Sequence, residues 1–228
     1  VGSEMCIRDS IIKCSLEDVL MATCFSDIFT ARQLVTLASI VQVGDAAYRD
    51  LMETQRPMFA HPYFADTRGR IRTKFVQMQC EIESHEPNFP FEFSQRYFEY
   101  NQCIPELRTK NVILHIARST APDCLPYESK YKLRLSNNNF GMQRQMVIDT
   151  DFQPPYSEEP FYGLLVFGGR ESTFAVVQFP EPGYENIAEI ITIPQMSLTG
   201  IPEETVVFER KKAALKQEFL ARGLEEAK

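Results

Sequence analysis

Pro122-Asp123 and Glu128-Ser129-Lys130 stand four residues apart. Two carboxylates that converge on Mg²⁺, with a lysine beside the attacking water, are what metal-assisted phosphodiester hydrolysis requires, because the ion neutralises developing charge and acidifies its water. Asp123, Glu128 and Lys130 supply those residue types. Their spacing is short: four intervening residues are too few for a strand turn that would bring both carboxylates to one ion. Solvated loop charges are the competing reading.

Asp149 and Asp151 alternate with Thr150 and could share one strand face, with Glu158, Glu159 or Glu171 as further oxygen ligands. Acidic loop decoration explains the same residues. Nucleophilic catalysis would need a thiol or hydroxyl with a base, and the histidines are His61, His85 and His115, beside which Cys80, Cys103 and Cys124 are the candidate nucleophiles. No local catalytic signature surrounds any of them. His115 lies in the apolar run Val112–Ala117, where a hydrogen-bonded core histidine is the ordinary expectation. Gly168-Gly169 lacks the lysine of a phosphate loop and reads as a hairpin turn. No GxGxxG, HExxH or EF-hand pattern occurs, so no cofactor is expected.

Arg68, Arg70, Arg72 and Lys74 put four cations in seven residues, enough to hold a phosphate or an acidic surface if they converge. Residues two apart on a helix diverge, so a solvated basic face competes with that reading. The formal net charge of -7 argues against broad attraction to nucleic acid or anionic lipid. The distribution is uneven. Residues 96–144 carry eight Lys/Arg against four Asp/Glu, whereas 149–209 carry eleven acids against Arg170 alone. A local basic patch is therefore compatible with an acidic chain.

These residues need elements to position them. Ser15 with Asp18 has capping-box spacing, and Leu16, Val19, Leu20 and Cys24 predict a helix over 16–25. Thr30 with Gln33 repeats the signature, and Leu34, Leu37, Ala38 and Val41 predict a helix over 31–43 that stops at Gly44. A further helix is predicted over Asp45–Thr54, ending before Arg56-Pro57. The pair joined by Phe25–Phe29 invites comparison with a helix-turn-helix, whose second helix would read DNA through Arg32, Gln33 and Ser39. Ordinary helix packing is the simpler expectation. Thr67–Glu83 reads as another helix, with Ile71, Phe75, Met78 and Ile82 on one face.

After His85–Pro90 the pattern turns to strands. Phe91–Tyr100, Val112–Ala117, Tyr131–Leu135, Gln145–Ile148, Phe161–Phe167, Thr173–Phe179 and Ile187–Ile193 are short β-branched or aromatic runs parted by Pro, Gly and Asn. Tyr162–Phe167 and Phe174–Phe179 are predicted antiparallel neighbours joined through Gly168–Ser172. Thr150–Pro160, with three prolines, reads as a loop or internal linker. Pro202 begins a charged helix that runs through Ala221, with Gly223 beyond its end. The fold class is α+β: N-terminal helices followed by a mainly antiparallel sheet and a C-terminal helix. Residues 11–85 form the helical region and 86–228 the sheet region with its helix, in one domain or two packed halves.

Residues Glu4–Ser10 look like the translation of a transposase mosaic-end adapter, so Val1–Ser10 are expected to be a non-native leader. The six cysteines, at 6, 14, 24, 80, 103 and 124, form no CxxC pair, which points to free thiols in a reducing, cytoplasmic compartment. The longest apolar runs fall far short of the roughly 18–20 residues of a membrane-spanning helix, so no membrane association is expected.

The segments NVILHIARSTAPDCLPYESKYKLRLSNNNF and FYGLLVFGGRESTFAVVQFPEPGYENI resemble the C-terminal half of an uncharacterised protein family of Firmicutes and their phages or mobile elements. The resemblance covers roughly 80–100 residues and implies no activity. It does imply a bacterial or phage-borne intracellular protein, and it singles out His115, Arg118, Ser119, Lys130, Tyr131, Asn138 and Asn139. Those residues could equally be structural: Arg118 and Lys130 could pair with nearby acids and the asparagines could shape a turn.

The reading that follows is a non-enzymatic binding or regulatory protein that meets a protein or nucleic-acid partner through the basic 96–144 region. The alternative is a metal-dependent nuclease of the PD-(D/E)xK type, built on Asp123, Glu128 and Lys130 or around Asp149 and Asp151.

Overall fold

Thr30 opens the first described helix, α1 (Ala31–Thr54), with both halves of the predicted capping box: its hydroxyl accepts from Gln33 N, and Gln33 Oε1 accepts from Thr30 N at 2.8 Å. The computed structural model describes residues 28–98, 102–142, 159–169, 174–194 and 210–218. The predicted helix over 16–25, the leader Val1–Ser10, the strand Gln145–Ile148, residues 150–158 of the predicted linker, the Gly–Ser turn residues 170–172, and Asp149, Asp151, Glu158 and Glu171 lie outside them, as does Pro202.

The predicted stop at Gly44 does not occur. Helix α1 runs through it, and the glycine serves packing instead: a Cβ built there would lie 2.6 Å from Val76 Cα. Only a residue without a side chain lets α1 approach the backbone of α3 (Arg68–Ser84) this closely. The predicted boundary before Arg56-Pro57 holds, and α2 (Arg56–Phe59) restarts the helix with its proline in the first turn. Beyond a single 3₁₀ turn at Pro62–Phe64, α3 spans almost the predicted range, and Ile71, Phe75, Met78 and Ile82 share one apolar cluster as expected.

Among the described residues the sheet has six strands in sequential order: β1 (Glu92–Tyr97), β2 (Cys103–Arg108), β3 (Val112–Ser119), β4 (Phe161–Gly168), β5 (Phe174–Pro180) and β6 (Ile187–Thr192). All neighbours are antiparallel except β3 and β4, which run parallel. That pair requires a crossover, which contains α4 (Lys130–Ser136) and a 3₁₀ segment at Asn137–Met142. The α+β class, the mainly antiparallel sheet and the β4–β5 pairing agree with the sequence.

Helices cover both faces, which is why β3 and β4 read as nearly unbroken apolar runs. On one face Leu37, Ile40 and Val41 of α1 and Val76 and Cys80 of α3 pack on Leu107, Leu114, Leu165 and Val177, so helices and sheet share one core. On the other face Leu135 of α4 packs with Ile113, Tyr162, Leu164 and Val166. A C-terminal helix at 210–218 docks on the helical layer through buried Leu215, with Lys211 donating to Glu83 at 2.6 Å and Lys216 to Asp50 at 2.5 Å. Among the described residues no helix is long and apolar enough to cross a membrane.

Two strand expectations need correction. Tyr131–Leu135 is helical, not extended. β2 was not anticipated because Pro105 interrupts it; β2 meets β3 only from Glu106 onward, so Pro105 has β1 as its sole strand partner and forfeits no bond to a second one.

Candidate functional site

A cleft of about 530 Å³ lies between the end of β1 and helix α4, lined by Arg96, Tyr97, Phe98, Lys130, Tyr131 and Arg134. Strand periodicity aims Arg96 at this face, and the β1–β2 register sets it opposite Ile104, two pairs along from the Ser94–Glu106 pairing. Lys130 and Arg134 are four residues apart on α4 and so project to one side. Both are exposed, and neither has an ion-pair partner among the described residues.

Arg96 is fixed from beneath. Glu106, 4% exposed, accepts from Arg96 Nε at 3.1 Å, from Arg108 at 3.0 Å and from His115 Nε2 at 3.0 Å. His115 Nδ1 lies 3.2 Å from the Tyr162 hydroxyl. The hydrogen-bond from His115 and the neighbouring guanidiniums hold the Glu106 carboxyl down at about 2. Burial pushes His115 below its ordinary value, against the pull of Glu106. The imidazole is thus neutral near pH 7, donating from Nε2 to Glu106 and accepting at Nδ1 from Tyr162, whose phenol burial keeps protonated. Tyr131 closes over this network, its ring edge-on to His115 at 5.5 Å and tilted on Phe98 at 4.8 Å.

Lys132, between the two exposed cations, faces inward. Its ammonium donates to Tyr127 O at 2.5 Å and sits 5.8 Å from the Tyr184 ring. Burial lowers it to about 8.

The residues singled out by sequence divide into separate places. His115, Lys130 and Tyr131 gather at the cleft. Arg118, three residues from His115 on the same strand, must face the opposite side, and its guanidinium lies over Gly69, within 2.8 Å of where a Cβ would be. Near it Arg68 donates to Phe59 O at 2.9 Å, while Arg72 is buried, paired with Asp45 and donating to Gly169 O at 2.8 Å. Lys74 reaches Cys103 O at 2.9 Å, and Arg70 is exposed. The run Arg68–Lys74 thus splays over several partners. Ser119 donates to Cys124 O at 2.7 Å. Asn138 donates to Pro160 O at 3.2 Å, and Asn139 holds three backbone groups: it donates to Tyr162 O and Pro180 O and accepts from Tyr162 N, all within 2.8 Å.

Asp123 sits on the exposed turn after β3, and Glu128 on the exposed approach to α4, not on paired strands. Among the described residues no group of three His, Cys, Asp or Glu side chains is placed to hold a metal ion. Cys80, Cys103 and Cys124 are free thiols, and burial pushes the Cys80 thiol up. On α1, Arg32 donates to Asn88 O, Gln33 Nε2 to Pro90 O at 3.3 Å and Ser39 to Glu83 at 3.1 Å, so all three side chains offered for DNA reading bond within the fold.

Sequence reasoning missed Arg96, Phe98, Glu106 and Arg134. The signal for Arg134 was its spacing of four from Lys130, visible only once that segment is taken as helical. No protein family, curated protein or solved structure matches the chain.

Proposed function

We propose that this is a non-enzymatic binding or regulatory protein that engages a protein or nucleic-acid partner through the cleft of Arg96, Lys130 and Arg134. One observation carries the reading: three cations surround half-buried aromatic rings, and a buried carboxylate holds one of those cations in place. Pre-organised cations lose less freedom on binding, and a positive concavity attracts anionic partners even on an acidic protein. Glu106, His115 and Tyr162 satisfy one another behind Tyr131, which supports a supporting role for them over a catalytic one. Free Cys80, Cys103 and Cys124 support a reducing, cytoplasmic setting. The resemblance of the C-terminal half supports a bacterial or phage-borne origin.

The test compares three full-length proteins: wild type, K130E/R134E, and R118E on the opposite face. Each is titrated against labelled single-stranded and duplex oligonucleotides and an acidic peptide. The reading predicts at least one anionic probe that loses tenfold or more in affinity with K130E/R134E and little with R118E. Equal losses in both variants, or no binding of any probe, would overturn it.

A further inference from the structure

The lining of the cleft combines two chemistries, and together they narrow the ligand. Three of its six residues are cationic, three are aromatic, and none carries a negative charge. Phe98 and Tyr131, both half-buried, overlap at 4.8 Å and 38°, so the pair supplies the apolar lining of the cleft as one stacked unit. Lys130 and Arg134 border the ring pair along α4, while Arg96 is anchored at its base by Glu106.

A ligand that satisfies both halves must be flat, apolar over its ring faces and negatively charged at one end. An acidic peptide supplies carboxylates but leaves the ring pair uncovered. A lipid headgroup supplies phosphate but no ring. A nucleobase with its phosphate supplies both, and a cleft of about 530 Å³ falls in the range of roughly 300–1,000 Å³ typical of small-ligand sites.

We propose that this cleft binds a nucleobase–phosphate unit, with the base added to the Phe98–Tyr131 ring pair and the phosphate held by Lys130, Arg134 and Arg96. The inference rests on the cleft being the protein's binding site and adds the ligand class. Because every base offers a π-face, stacking of this kind tolerates sequence. The same unit occurs as a free nucleotide and as one residue of a single strand, whereas a duplex keeps its bases stacked on each other.

The experiment uses the full chain and three probes: 2-aminopurine nucleoside monophosphate, an oligothymidylate eight-mer carrying one internal 2-aminopurine, and a fluorescein-labelled hexaglutamate. Stacking on a protein ring changes 2-aminopurine emission, which reports the contact directly. The expected result is binding of the eight-mer with altered emission, weakened about tenfold or more by Phe98→Leu and by K130Q/R134Q. Far-ultraviolet circular dichroism of the Phe98→Leu protein guards against misfolding of that variant. Binding of the monophosphate as well identifies free nucleotide as a sufficient ligand; binding of the eight-mer alone identifies the strand. Hexaglutamate binding that needs Lys130 and Arg134, with neither nucleotide probe bound, overturns the ligand class and leaves the binding cleft standing. Nucleotide binding indifferent to Phe98 overturns the stacking proposal, and failure of every probe removes both.

Discussion

Glu106 Oε2 and His115 Nε2 are 3.0 Å apart at directly opposed positions of adjacent antiparallel strands. Their relationship is the support on which the cleft rests, since the same carboxylate anchors Arg96. The register of one strand pair thus decides where a cleft cation stands.

Acid should loosen this support in two stages. His115 has a folded value below its ordinary 6.5, so beneath about pH 6.5 the unfolded chain takes up a proton that the fold resists, and stability falls. Glu106 adds a loss as pH drops from about 4.5 toward 2. Urea unfolding at pH 7.5, 5.5, 4 and 2.5 reads both stages. His115→Phe should flatten the first stage, whereas parallel profiles for the two proteins would contradict the assignment.

Gly44→Ala sets two effects against each other. Alanine favours a helix interior over glycine by about 1 kcal/mol. The new Cβ, however, would meet the Val76 backbone at 2.6 Å, and forcing packed elements apart costs about 1–3 kcal/mol or more. The clash should win, lowering stability by about 1–2 kcal/mol net. A stabilised variant in chemical denaturation would contradict the close helix approach.

Asn139→Ala should cost about 2–4 kcal/mol, since it leaves Tyr162 N, Tyr162 O and Pro180 O without their shared partner in a buried site. Asn139→Asp keeps the acceptor for Tyr162 N but sets a carboxylate against two carbonyls, so it should be no better tolerated. Asn138→Ala, which loses one partly buried bond, should cost less than about 1 kcal/mol.

Lys132 gives an alkaline signature whose slope has the same sign as that on the acid side. Its folded value of about 8 lies below the ordinary 10.5, so the unfolded chain keeps its proton longer and stability rises as pH climbs from about 8 toward 10. Up to about 2–3 kcal/mol separates the limits. Lys132→Met removes that slope, and an unchanged difference between wild type and variant from pH 8 to 10 would show that the ammonium is not desolvated.

Lys132 also shows what the sequence could and could not reveal. Periodicity exposed α3, the course of α1 apart from a false stop at Gly44, and the paths of β1 and β3 to β6, because long apolar stripes leave few alternatives. Tyr131–Leu135 alternates apolar with charged residues and so predicts a strand carrying Lys130, Lys132 and Arg134 on one face. As a helix it turns Lys132 inward and leaves Leu133 37% exposed, against the simple rule of charge outside. Tertiary contacts with Tyr127 and Tyr184 override the local pattern there. The basic bias of 96–144 covers the stretch that carries Arg96, Lys130 and Arg134 of the cleft. It could not show that the sheet separates Arg118 from His115, or that Glu106, an acid, organises the cations.

The most direct test of the central claim is the salt dependence of eight-mer binding by wild type and K130Q/R134Q. Neutralising a phosphate on a single strand contributes a slope of about 0.7 in log affinity against log salt, so removing two of the three cations that hold one phosphate should reduce the slope by up to about 0.7. That reduction, with a loss of affinity at low salt, is the predicted result. Equal slopes and affinities for the two proteins would mean that the cleft is not where the partner binds.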